Sequence, residues 1–380
     1  MPQPAQKAPR AISLFSGAGG MDLGVSGAGF DLLACFEIDP HCCDTLRANA
    51  SPLDAPRIVE GDIRDVDVSE VMRELSLQEG ELDLLCGGPP CQSFSQIGKQ
   101  GGLSDDRGPL LFEVVRFAEA LKPKAILIEQ VKGLRTAKDL KGERGGIFAA
   151  LLDALTGLGY SVQWQILNSA DYGVAQTRER LFIVALAGDG EFTFPQPTHE
   201  SPDVPQRLPG GLKPHMTLTD VIEDLSAPPR KSAELPVDSH VDITPAGDQR
   251  RIRGVPEGKW LSGQLHLPQE QRGKLSRKDT TKFRRLDRSR PSLTLRCGEI
   301  FFHPIDDRYL TPREYLRLHG YPRSYVLRGP IRGRSGQVRN LDQHRQVANS
   351  VPPPVAEALA RQIGSSLAWE LSSRSLAFQR

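Results

Sequence analysis
SLFSGAGGMDLG, residues 13–24, is the stretch on which the fold turns. A β-rich run from Ala11 to Phe15 enters a turn built on Gly17, Gly19 and Gly20, and a helical pattern follows. Glycines at such a strand-to-helix turn let the backbone approach a ligand closely. Turns of this kind are common, so the reading gains weight only from its neighbours. Gly17 and Gly19 fit the dinucleotide pattern G-x-G-x-x-G, but its last position is held by Asp22. A pyrophosphate disfavours a carboxylate there, so the turn departs from a dinucleotide site.

Outward from this turn, short β-rich runs alternate with helical patterns, the signature of a parallel sheet with crossover helices. Strands are expected at 11–15, 32–37, 57–60, 82–86, 125–129, 162–167 and 181–185, and helices at 40–48, 108–121 and 146–158. From about residue 188 the chain becomes Pro-rich, polar and weakly periodic, and helical patterns return within 311–320 and 349–367. The expectation is an α/β protein with a smaller, irregular second domain. Residues 1–187 form the sheet domain, 188–283 the smaller one, and 284–380 return to the first.

Carboxylates recur at the strand ends. Glu37 closes the second strand about 20 residues past the glycine turn, where an acid in such folds accepts hydrogen bonds from ribose hydroxyls. Asp62, in GDIRD after the third strand, is placed to accept from an adenine amino group. Either acid alone is as readily a solvated loop carboxylate or a helix cap. Three such features at successive strand ends favour a nucleoside-bearing cofactor, and S-adenosylmethionine, with no phosphate and a cationic sulfonium, suits a site lined with acids.

GGPPCQSFSQIGK, residues 87–99, follows the fourth strand. Pro89 and Pro90 fix φ and offer no amide proton, so the ladder stops and the chain turns out rigidly where Cys91 sits. A nucleophile must be presented in this way, yet a lone thiol also packs as a small hydrophobe. This segment alone leaves both readings open. Glu129 ends the fifth strand at the same sheet edge, and QTRER (176–180) sets Arg178 and Arg180 on one face if extended. An acid beside a thiolate and two arginines is costly unless used, although a surface ion-pair network also accounts for the arginines.

The formal net charge is +1, so affinity for nucleic acid must come from the placement of charge. Eleven Lys or Arg residues between 250 and 285 face only Glu257, Glu270 and Asp279, a pattern suited to phosphates. No apolar run reaches the roughly 18 residues of a membrane span, and the N-terminus lacks a signal-peptide core, so a cytoplasmic protein is expected. The six cysteines include no C-x-x-C pair, which argues against a structural zinc or a disulfide scaffold.

In their order these motifs resemble the DNA cytosine-5 methyltransferases. SLFSGAGG matches the first family motif, FEIDP with Glu37 the second, GDIRD the third and GGPPCQSFS the catalytic fourth. QTRER matches the eighth, RPSLTLR (290–296) the ninth and QVANSVPPPVA (346–356) the tenth. The resemblance implies a Rossmann-like, S-adenosylmethionine-dependent methyltransferase sheet, with residues 188–283 as a target-recognition domain.

It further implies that Cys91 attacks C6 of a flipped-out cytosine in double-stranded DNA and that Glu129 holds N3 and the exocyclic amine. Arg178 would contact the O2 side, with Arg180 in support. Phe15, Gly17, Gly19, Glu37, Asp62, Ile63, Pro89, Asn349 and Val351 would hold the cofactor. Gln92, Ser93, Ser95, Arg284 and Arg285 would contact DNA. A monomer suffices, without metal or membrane, and a restriction endonuclease acting on the same sequence is the expected companion. Two positions depart from the family pattern: Gln130 stands for the Asn of Glu-Asn-Val, and Ala348 for the Gly before Asn349.

Three other functions remain as alternatives. A tRNA cytosine-5 methyltransferase shares the catalytic motifs, but its Cys-Phe-Thr signature is missing from this sequence. A non-catalytic DNA binder would have no need of Cys91, Glu129, Arg178 and Arg180 together. A zinc deaminase requires P-C-x-x-C, and Phe94 holds the second cysteine's place.

Overall fold
The structure is a computed structural model and describes residues 8–50, 56–90, 110–139, 141–203, 211–230, 234–272, 283–332 and 339–367. The chain divides into two compact units: Met1–Leu167, Glu179–Gln196 and Pro353–Leu376 form the first, and Asn168–Arg178, Pro197–Pro352 and Ala377–Arg380 the second.

The first unit is built on β1 (Arg10–Leu14), β2 (Asp31–Glu37), β3 (Arg57–Glu60), β4 (Leu84–Gly87), β5 (Ala125–Val131) and β6 (Tyr160–Asn168). After the two-residue β7 (Gln176–Thr177) of the second unit comes β8 (Glu179–Ala187), and the sheet order is β3-β2-β1-β4-β5-β8-β6. β1, β4 and β5 are buried almost throughout, as strands covered on both faces must be. Pairs among β1 to β5 are parallel. β8 departs from the parallel expectation and runs antiparallel to β5. Only residues 169–178 separate it from β6, and a parallel return needs a crossover of roughly a dozen residues or more.

Helices α1 (Gly20–Gly27), α2 (Pro40–Asn49), α3 (Val68–Glu74), α4 (Glu113–Leu121) and α5 (Gly146–Gly157) supply the crossovers. In α4, Val114, Phe117, Ala118 and Leu121 form a buried stripe at helical spacing that packs into the core with Ile12, Leu85 and Ile126. α2 begins at Pro40, where the Asp39 carboxylate caps the His41 and Cys42 amides. From β1 the chain goes outward to β2 on one side, while β4 lies on the other. The carboxyl ends of β1 and β4 therefore flank the switch point at which open α/β sheets bind ligands.

Among its described residues the second unit has little regular structure. It contains β9 (His199–Glu200) with β10 (Lys213–Pro214), β11 (Ser292–Leu293) beside β7, and α6 (Leu218–Ile222), α7 (Ala246–Ile252), α8 (Pro312–Leu318) and α9 (Gln343–Asn349). Buried side chains tie it together. Arg308 grips Glu314 at 2.9 and 2.7 Å, and Glu314 closes a capping box with Thr311 at the start of α8.

The chain then re-enters the first unit as α10 (Pro353–Ser366), which packs on α1. A Cβ on Gly24 would lie 2.5 Å from Ala356 Cβ and 2.6 Å from the Pro353 carbonyl, so only glycine allows this approach. Arg361 donates to the Gly27 carbonyl across the same contact at 2.7 Å. Among the described residues no helix is long and apolar enough to cross a membrane, and no cluster of potential metal ligands occurs.

Candidate active site
The turn after β1 is held in a conformation that few side chains adopt. Phe15, Gly17 and Gly19 have φ of 57°, 54° and 72°. A Cβ on Gly17 would touch nothing within 4 Å, so glycine is required there by backbone conformation and not by crowding. The Gly17 amide donates to Glu37 Oε2 at 2.7 Å, and Glu37 Oε1 accepts from the Ile38 and Asp39 amides at 2.9 and 2.8 Å. Burial raises the Glu37 pKa against these hydrogen bonds. A carboxylate has about four acceptor positions, so Oε2 keeps one for a hydroxyl.

Asp22 does not line this turn. Its carboxylate is buried, accepting from Ser13 Oγ at 2.5 Å and Cys35 Sγ at 3.4 Å, and burial pushes its pKa up to about 6. The charge that breaks the dinucleotide pattern is thus buried on Ser13 and Cys35 and does not by itself bar a pyrophosphate from the turn. Asp62 caps the short 3-10 turn that follows it and pairs with Arg64, while Ile63 is buried in the core.

Leu14 of β1 pairs with Gly87 of β4, so the glycine turn and the Gly-Gly-Pro-Pro stretch leave the sheet side by side. A Cβ on Gly87 would meet the Leu14 carbonyl at 2.8 Å. One residue further, a Cβ on Gly88 would lie 3.5 Å from Glu129 Oε2. Glu129 is buried, and its Oε1 sits 3.0 Å from Arg180 Nε. Gln130, also buried, donates from Nε2 to the Pro89 carbonyl at 2.6 Å. The longer amide that departs from the family pattern therefore anchors the chain two residues before Cys91. Cys91, Gln92, Ser93 and Ser95 lie outside the described residues.

In the second unit Arg178 is buried, and its guanidinium donates to the carbonyls of Leu295 (3.4 Å), Ala348 (3.0 Å) and Ser350 (3.2 Å). Asn349 is exposed with its Oδ1 2.6 Å from Cys297 Sγ, and Val351 is buried. Arg284 lies over the Trp260 ring at 5.0 Å. Arg285 is buried, donates to the carbonyls of Ile252, His303, Ile305 and Asp306, and pairs with Asp307 at 2.6 Å. With both terminal nitrogens so committed and Nε buried, the guanidinium does not present itself to a phosphate. Gln176 and His319, both fully buried and 2.9 Å apart, escaped the sequence reading.

A mostly parallel sheet with one antiparallel strand between β5 and β6, and a glycine turn beside a Pro-Pro strand end, defines a methyltransferase-type α/β fold. The family model for C-5 cytosine-specific DNA methylases matches residues 10–365, and the chain belongs to this family of DNA cytosine-5-methyltransferases. The chain is 38% identical over 237 residues to the type II methyltransferase M.AquIA of Picosynechococcus, covering 59% of this chain and 92% of that protein. It is 32% identical to M.PspPI of Psychrobacter, with 93% of this chain and 78% of that protein covered. A crystal structure of DNMT2 from Spodoptera frugiperda shares the fold, with a TM-score of 0.60 at 17% identity, over 94% of this chain and 99% of that one.

Proposed function
We propose that the protein transfers a methyl group from S-adenosylmethionine to C5 of a flipped-out cytosine in a specific double-stranded DNA sequence. It would serve as the modification enzyme of a restriction-modification system. The observation that carries this reading is the buried Glu129–Arg180 pair set against the Gly88–Pro89 strand end that leads into Cys91.

Cytosine C5 is a poor nucleophile until a thiolate adds to C6 and makes C5 enamine-like. Cys91 supplies that thiolate. Glu129 binds N3 and the exocyclic amine and supplies a proton to the ring as charge builds there. Arg180 takes the O2 side of the base. The two arginines thus exchange the roles expected of them, because the Arg178 guanidinium is committed to three carbonyls. S-adenosylmethionine, when bound, supplies the methyl group. Loss of the C5 proton to an ordered water and departure of the Cys91 thiolate then yield 5-methylcytosine. A base within a duplex cannot reach such a pocket, so it is flipped out and held by closure of the segment after Cys91.

The turn fits such a cofactor through the open space at Gly17 and the remaining acceptor position on Glu37, with Phe15 and Gly19 shaping the pocket. Asp62 and Ile63 take the adenine and Pro89 the methionine portion, while Asn349 and Val351 are assigned to the cofactor on the family pattern. Residues 188–283 read the target sequence. Phosphate contacts fall to exposed basic side chains there and to Arg284, with Arg285 left out. The enzyme acts as a monomer on DNA in the cytoplasm, with an endonuclease of the same specificity as companion.

The test is bisulfite sequencing of a plasmid incubated with the protein and S-adenosylmethionine, with Cys91→Ala in parallel. Protected cytosines in one short motif, lost in the variant, are expected. Absence of protection by the parent protein would overturn the reading.

A further inference from the structure
A hydrogen-bond chain of fixed polarity ends on the backbone beside Asn349. Gln176 Oε1 accepts from the Leu295 amide at 3.1 Å, and a backbone N–H can only donate, so the orientation of the side-chain amide is settled. Its Nε2 therefore donates to His319 Nδ1 at 2.9 Å. Nδ1 must then be the acceptor, and the ring proton sits on Nε2, which donates to the Ser350 carbonyl at 2.9 Å. Arg178 reaches the same carbonyl and that of Ala348. The two carbonyls flanking Asn349 are thus gripped by buried donors, while Asn349 itself is exposed. The His319 ring is wholly buried and stacks on Tyr321 with ring centroids 6.1 Å apart.

We propose that His319 is a positioning residue for methyl transfer, holding the Ser350 carbonyl through the proton on Nε2 and so fixing the backbone that carries Asn349. This rests on the assignment of Asn349 to the cofactor made above. The two amide substitutions separate positioning from packing. The side chain of His319→Gln reaches the Nε2 position and can still donate to Ser350. That of His319→Asn reaches only the Nδ1 position, so it can meet Gln176 but not Ser350. Each variant loses one hydrogen bond and the ring, and a purely structural role would move both alike.

The experiment is titration calorimetry of S-adenosylmethionine on the full-length protein without DNA, for the parent, Asn349→Ala, His319→Gln and His319→Asn, with circular dichroism to establish folding. Affinity is expected to fall about tenfold in Asn349→Ala and His319→Asn and to stay within about threefold in His319→Gln. Turnover at saturating cofactor is expected to change less than affinity in both His319 variants. Equal affinities for the two His319 variants, with Asn349→Ala weakened, would overturn the positioning role and leave the assignment of Asn349 standing. Unchanged affinity in Asn349→Ala would remove that assignment and the inference with it. Should His319→Asn fail to fold, Gln176→Met keeps His319 and withdraws only the donor that fixes its tautomer. A loss of about threefold then supports the inference, and no loss overturns it.

Discussion

Glu129 Oε1 lies 3.0 Å from Arg180 Nε across the antiparallel seam between β5 and β8, where Val131 rather than Glu129 is the direct partner of Arg180. The diagonal leaves Glu129 Oε2 facing Gly88. One carboxylate oxygen is thus held by the guanidinium while the other is turned to the strand end that precedes Cys91. Glu129→Gln keeps an oxygen for Arg180 and removes the proton-donating acid. Single-turnover methyl transfer is expected to slow by about 10²–10⁴, with little change in melting temperature. A rate within a few-fold of the parent would remove Glu129 from the chemistry.

Arg178 and Arg180, two residues apart, should fail in different ways. Arg178→Met takes the guanidinium from three buried carbonyls; Ser350 keeps its bond from His319, while the loss at Leu295 and Ala348 costs about 1–3 kcal/mol each. Urea unfolding should show a loss of about 3 kcal/mol or more. Arg180→Met should retain more stability and lose more turnover. The reverse pattern would return the base contact to Arg178.

Gln130 is the departure from the family pattern whose purpose is visible. Its amide spans from β5 to the Pro89 carbonyl, and Gln130→Met removes that donor at similar volume. Turnover is expected to fall by about tenfold while cofactor affinity stays within about twofold, because the anchor serves the segment leading to Cys91. A matching loss in cofactor affinity would mean that Pro89 acts mainly through the cofactor pocket.

Gly24→Ala tests the return of the C-terminal helix. The new methyl would overlap the Pro353 carbonyl and the Glu357 amide, both backbone atoms that cannot swing aside. A destabilisation of about 1–3 kcal/mol or more is expected in urea. An unchanged midpoint would mean that α10 can slide on α1.

The strand ends are legible in the sequence because each apolar run stops at a residue with a stated reason to stop it. Glu37 closes β2 and β3 spans the expected Arg57–Glu60, whereas β5 runs on to Val131, two residues past the end expected at Glu129. The reversed direction of β8 was also within reach, since no helical pattern separates residues 168 and 179. The second unit resists such reading because its order rests on buried polar contacts between residues far apart in sequence. Arg285 looks like one more basic residue in a basic stretch until its carbonyl partners at 303–306 are seen. His319 is 143 residues from Gln176, and no local pattern announces that pairing.

Asp22 turns burial beneath the glycine turn into a pH dependence of stability. Its pKa rises from 3.8 to about 6 because burial outweighs the hydrogen bonds from Ser13, Cys35 and Ser16 that favour the ionised form. The folded protein therefore keeps this proton to higher pH than the unfolded chain does. Between pH 3.8 and about 6 the folded state binds more protons, so the contribution of Asp22 falls as pH rises through that window and stays low above it. The whole difference is on the order of 3 kcal/mol. Asp22→Asn abolishes the ionisation and retains an oxygen to accept from Ser13. Relative to the parent, it should gain stability above about pH 6, and the gain should shrink toward zero as pH falls to 3.8. Urea unfolding of both proteins across this range measures the difference directly, with all other titrating groups cancelling between them. A gain of the same size at every pH would show that the buried hydrogen-bond network, and not the charge, sets the cost of Asp22.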